Sequence, residues 1–122
     1  PDPGRFELRL MDGSANPYLL QASVLAAGIN GIKNKIDPGK PLHCNMYEDF
    51  AKYPDLPKLP DELDQSLKKL KQNKEMNEAF STDVIDSYIK LRGTEIKEFN
   101  NVEKFDKSKP ITKWERQNTL DC

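Results

Sequence analysis

Five of the nine prolines in this 122-residue chain fall between Pro38 and Pro60. Proline lacks an N–H and its ring clashes with the preceding helical turn, so neither a long helix nor a central strand can pass through this stretch. Residues 37–60 therefore read as an extended connection across the surface. Regular structure has to be assembled on either side of it.

On the N-terminal side, charged and apolar residues alternate from Arg5 to Leu10, the period-2 pattern of a half-buried strand. Phe6, Leu8 and Leu10 would face a core. Arg5, Glu7 and Arg9 would then stand in one row on the other face, roughly 6 to 7 Å apart along the strand. Two readings of the row stay open. As a surface ladder of opposite charges, each exposed pair contributes about 0 to 1 kcal/mol. As a site, two guanidinium forks grip phosphate or carboxylate oxygens while Glu7 offers a hard oxygen to a divalent cation. A metal with arginine clamps is the equipment of phosphoryl transfer.

Asp12-Gly13 ends the strand in a turn. Ser14 or Asn16 can cap the next helix, and Pro17 fits its first turn. In that helix Tyr18, Ala22, Leu25, Ile29, Ile32 and Ile36 recur at i, i+4, i+7 spacing. Leu19, Leu20, Val24 and Ala27 widen the apolar arc until it nearly encircles the first turns, which calls for burial on most sides. Lys33 and Lys35 suit the negative end of the helix dipole.

Beyond Pro60, Asp61 and Glu62 open an amphipathic helix with Leu63, Leu67 and Leu70 on one line. Ser81-Thr82-Asp83 caps a longer helix carrying Ile85, Tyr88, Ile89, Ile96 and Phe99 toward a core, with Gly93 as a weak point. Asn100-Asn101 either ends this helix or loosens it, and 106–110 is a polar loop. Thr112 can cap a last short helix bearing Trp114 and Leu120, in which the tryptophan serves as a docking anchor within the chain or between subunits.

Lys and Arg total 19 and Asp and Glu 20, and residues 1–60 hold seven of each sign. Neither half is a basic patch for nucleic acid. The apolar stretch from Leu19 to Ile29 is too short and too interrupted to span a membrane. Cys44 and Cys122 have no CxxC spacing, so a reduced, cytoplasmic protein is the expectation. His43 and Cys44 are two ligands where zinc needs four, which favours a solvated loop histidine.

The blocks Arg5-Phe6-Glu7-Leu8-Arg9, Asp12-Gly13-Ser14-Ala15-Asn16-Pro17-Tyr18-Leu19 and Ala27-Gly28-Ile29-Asn30-Gly31-Ile32-Lys33-Asn34-Lys35, followed by Pro38-Gly39, closely resemble the C-terminal part of the glutamine synthetase catalytic domain. The ending Lys113-Trp114-Glu115-Arg116-Gln117-Asn118-Thr119-Leu120-Asp121-Cys122 looks most like the bacterial type III branch related to the shorter synthetases. The resemblance implies a fragment of a longer parent. Residues 1–122 would be the C-terminal portion of the domain, with an active-site strand (1–12), a buried helix (16–36), the Pro-rich connection (37–60) and a helical region (61–122). The expected fold is mostly α with one N-terminal strand or short hairpin, belonging in the parent to an α+β catalytic domain.

The resemblance also implies roles. Glu7 matches a magnesium or manganese ligand, Arg5 a contact to ATP phosphates, and Arg9 a contact to glutamate or its phosphorylated intermediate. The implied reaction joins glutamate and ammonia at the expense of ATP, through a γ-glutamyl phosphate, in a cytoplasmic homo-oligomer of stacked rings with no nucleic-acid or membrane partner. Asn45-Met46-Tyr47 matches a loop tyrosine that some bacterial members adenylylate, although Glu48-Asp49-Phe50 depart from the leucine-rich pattern that usually follows it. Relatives with a similar Trp-Glu-Arg ending use methylamine or polyamines instead of ammonia. From another class, a helical interaction module would account for the apolar first helix but not for the charged row.

Overall fold

The computed structural model describes residue 4, residues 6–102 and residues 111–119. Arg5, the polar loop from 106 to 110, Leu120 and Cys122 lie outside the described residues. The architecture is all helical among the described residues, which agrees with the expected mostly-α class. The N-terminal strand does not form: residues 6–10 have no regular secondary structure. A strand exists only against a ladder partner, and the described residues supply none.

Helix α1 spans Pro17–Lys33. Asn16 is its cap, the side-chain oxygen accepting from the Tyr18 and Leu19 amides at 3.0 and 3.1 Å, so two of the four orphan donors of the first turn are satisfied. The other end closes in a Schellman motif: the Lys35 amide donates to the Ile32 carbonyl at 3.2 Å and the Ile36 amide to that of Gly31 at 3.0 Å. Lys35 sits at φ 49° to make this turn.

The Pro-rich connection holds one helical turn, α2 (Met46–Asp49), capped by Asn45 and continued as a short 3₁₀ turn over Phe50–Lys52. Helix α3 (Leu63–Gln72) follows. Asn73 closes α3 and caps α4 (Lys74–Phe80), its side chain accepting from the Met76 amide at 2.8 Å. Ser81, at φ 68°, separates α4 from α5 (Thr82–Val102), which runs uninterrupted through Gly93. Helix α6 (Lys113–Asn118) begins at a capping box: the Thr112 hydroxyl accepts from the Glu115 amide at 3.1 Å, and the Glu115 carboxylate accepts from the Thr112 amide at 2.7 Å.

The helices pack as a layer in which α5 contacts α3 and α4, and α4 contacts α1. Leu67 of α3 and Ile85 of α5 are the buried apolar residues of the described chain, 7% and 5% exposed. The amphipathic spacing of α3 explains the first, and the register of α5 the second. Helix α1 differs from expectation in which face it covers. Leu19, Leu20, Val24 and Ala27 turn toward α4 and α5, whereas the periodic stripe of Tyr18, Leu25, Ile29 and Ile32 stands on the opposite side, with Tyr18 82% and Ile32 80% exposed. A helix apolar all round presents two faces, and this chain only half-covers one: no residue of α1 is fully buried, in contrast to the buried helix expected over 16–36. No helix among the described residues is long and apolar enough to cross a membrane.

Candidate functional site

The charged run lies over the covered face of α1. Leu8, Leu10 and Met11 line a groove of about 560 Å³ together with Leu19, Leu20 and Val24 of α1, Phe80 of α4, and Ile85 and Tyr88 of α5. The inward face read in the sequence is realised only in part: Leu8 and Leu10 reach the groove but stay 41% and 62% exposed, Phe6 is 77% exposed and does not line it, and Glu7 and Arg9 stand in solvent. The Nε–H of Arg9 donates to Oε1 of Glu7, and the two side chains are 82% and 64% exposed. In so exposed a position the pair adds about 0 to 1 kcal/mol at most. Its interest lies in accessibility, since both groups can be approached from water by an anion or a cation.

The turn that follows is tightly held. One carboxylate oxygen of Asp12 accepts from the Ser14 amide at 2.7 Å and from the Ser14 hydroxyl at 2.6 Å, and the Ala15 amide donates to the Asp12 carbonyl at 3.2 Å. These bonds favour the charged carboxylate and hold Asp12 below the usual aspartate range, the hydroxyl contributing most. The sequence marked a turn here; the hydroxyl bond to Asp12 is the part that residue types alone left open, because a serine before a proline-led helix can equally serve as its cap.

The remaining sequence candidates stand apart from this site. His43 is exposed. The Cys44 sulfur lies 3.5 Å from that of Met46, and its hydrogen bond and charge push the Tyr53 hydroxyl up from the ordinary tyrosine range. Tyr47 is almost wholly exposed in the first turn of α2. Among the described residues no three His, Cys, Asp or Glu side chains converge as a metal set. Glu7 is a hard-oxygen donor open to solvent, so it fits one position of a magnesium or manganese shell; octahedral coordination requires further oxygens from elsewhere.

Residues 1–118 match the family described as glutamine synthetase, catalytic domain. A glutamine synthetase of Rhizobium meliloti (strain 1021) is 42% identical over 121 residues, which cover 99% of this chain and 26% of that protein. One from Rhizobium leguminosarum bv. phaseoli is 38% identical over the same length and shares, and that of Escherichia coli (strain K12) is 40% identical over 101 residues, 78% of this chain and 21% of its own. The chain thus spans about a quarter of the length of the curated relatives it matches first. No solved structure matches it.

Proposed function

The chain belongs to the glutamine synthetase catalytic-domain family, and from that premise we propose that it forms one wall of the active site of an ATP-dependent ligase that amidates glutamate with ammonia. The observation that carries the reading is the Glu7–Arg9 pair, displayed to solvent on a run whose Leu8 and Leu10 border the groove beside α1.

In this reading Glu7 lends a carboxylate oxygen to a divalent ion, Arg9 holds the carboxylate of glutamate, and Arg5 contacts the phosphates of ATP. Arg9 suits the role because a guanidinium recognises a carboxylate through a planar, charge-assisted fork. A bound magnesium or manganese ion would cancel repulsion between nucleotide phosphate and the attacking γ-carboxylate. The acyl phosphate so formed must be kept from water until ammonia displaces phosphate, and the exposed side chains of this wall require the rest of an enclosing site. The ending from Lys113 to Cys122 supports assignment to the bacterial type III branch, with a cytoplasmic, ring-forming homo-oligomer as the whole protein.

The test is a ligase assay on the full-length protein, dependent on ATP and glutamate, with ammonia and with alkylamines, comparing wild type with Glu7→Gln. Activity with ammonia that collapses in the variant supports the reading. Preference for an alkylamine moves the protein to the other amine ligases, and activity untouched by Glu7→Gln refutes the site. The purified 122 residues alone are expected to form no glutamine, since one carboxylate rarely holds a hydrated magnesium ion.

A further inference from the structure

We propose that the groove beside α1 is the seat of a β-sheet contributed by the part of the synthetase chain outside these 122 residues, with residues 6–10 as one of its strands. Two features are incomplete in the same place. The run from Phe6 to Leu10 carries the strand alternation without a ladder, and the groove it borders, about 560 Å³ and lined almost wholly by apolar side chains, is unfilled. The chain spans about a quarter of the length of its curated relatives, so a whole synthetase has the further chain from which both can be completed.

Connectivity says where that sheet lies. Residues 11–16 join the run to α1, a length typical of strand-to-helix connections, about 2 to 6 residues, and the turn is closed by the clasp of Asp12 on Ser14. A helix tied so closely to a strand packs on a face of the sheet that holds the strand. Leu8 and Leu10 border the groove together with α1, which makes theirs the face turned to the helices. Residues opposite one another on paired strands share a face, so strands added beside the run bring their own apolar residues over Leu19 and Val24 of α1, Phe80 of α4 and Tyr88 of α5. All four are only half-buried, and Leu8 and Leu10 keep 41% and 62% of their surface in water, as a helix layer does when it meets one strand in place of a sheet. Pairing of the run with its twin from a second copy would leave most of the groove open, because each strand adds only about 4.8 Å of width. Glu7 and Arg9 fall on the far face of the sheet, away from α1.

The experiment uses the full-length protein. Amide hydrogen exchange on the wild type needs no substitution: the amides of residues 7–10 are expected to exchange about a hundredfold or more slower than in an open chain, and open-chain rates there would overturn the proposal. The photoreactive residue p-benzoylphenylalanine, placed singly at Phe6 and at Phe80, then identifies what covers the groove. Crosslinks to peptides of the same chain outside residues 1–122 are expected, with no change in chain number on a denaturing gel. Crosslinks between two chains, or crosslinks from both sites confined to residues 1–122, would overturn it. Neither readout uses the side chain of Glu7 or Arg9, so the outcome stands whether or not Glu7→Gln abolishes activity.

Discussion

The ring of Trp114 meets the ring of Phe99 edge-on, with centroids 5.7 Å apart and planes at 81°. This pair ties α6 to the far end of α5, and it answers within the chain what the tryptophan docks against. Edge-to-face pairs contribute about 0.5 to 1.5 kcal/mol beyond the area they bury. Trp114 is the sole tryptophan, so its emission reports on this contact directly. Phe99→Ala is expected to red-shift that emission and to lower the denaturant midpoint followed by it. Emission that stays blue would mean that other contacts hold α6.

The same docking depends on the start of α6. Thr112 is 8% exposed and exchanges two hydrogen bonds with Glu115. Losing a threonine cap costs about 1 kcal/mol. Thr112→Ala should therefore release α6 by about that amount, and Thr112→Ser should restore most of it; a tryptophan-monitored melt of the three proteins compares them.

At the C-terminus of α1 the position that closes the Schellman motif is Lys35, at φ 49°. A residue with a Cβ pays about 1 to 2 kcal/mol in the left-handed region, and glycine avoids this at some loss of chain entropy. Lys35→Gly is expected to stabilise the helix end by about 0.5 to 1 kcal/mol, read as slower exchange of the Ile36 amide, which closes the motif on Gly31. Faster exchange would show that the lysine makes a compensating contact.

Much of this architecture was legible because local chemistry dictated it. Asn16-Pro17 marked the start of α1, Leu63, Leu67 and Leu70 the inner line of α3, and Thr112 the start of α6. Helix α4 escaped notice because Asn73 both ends one helix and begins the next, and a single asparagine in a charged run gives no periodic signal. The face of α1 could not be read either. Periodicity picked out Tyr18, Leu25, Ile29 and Ile32, but it reports that a stripe is apolar and not which partner reaches it first. For the site, the alternation from Phe6 to Leu10 foretold that Leu8 and Leu10 border an apolar groove, but not that Phe6 and Leu10 stay mostly exposed. It did not foretell the missing ladder, since pairing depends on residues distant in sequence.

Acid should loosen the turn between the charged run and α1. The carboxyl of Asp12 is held below the usual aspartate range by the Ser14 hydroxyl and amide. A depressed folded pKa contributes stability that is complete above the unfolded value, about pH 4, and is lost as pH falls through the folded value. The Ser14 amide resonance should therefore titrate below about pH 4, and Asp12→Asn should remove that step. A step at the ordinary aspartate value would mean that the clasp is open in solution.

Base should act at the other end of the scale, on the Pro-rich connection. The Tyr53 hydroxyl is pushed up first by its hydrogen bond with Cys44 and then by charge on that sulfur, which opposes a second negative charge nearby. A raised folded pKa contributes stability that is present below the unfolded value, about pH 10, and disappears as pH rises through the folded one. Cys44→Ala removes both causes together, so the Tyr53 ring resonances should titrate lower in the variant than in the wild type, toward the ordinary range. Cys44→Ser retains a donor and acceptor without a readily ionised sulfur, and should fall between them. If all three proteins titrate alike, neighbours other than Cys44 set the tyrosine, and the 3.5 Å approach of Cys44 to Met46 is then packing alone.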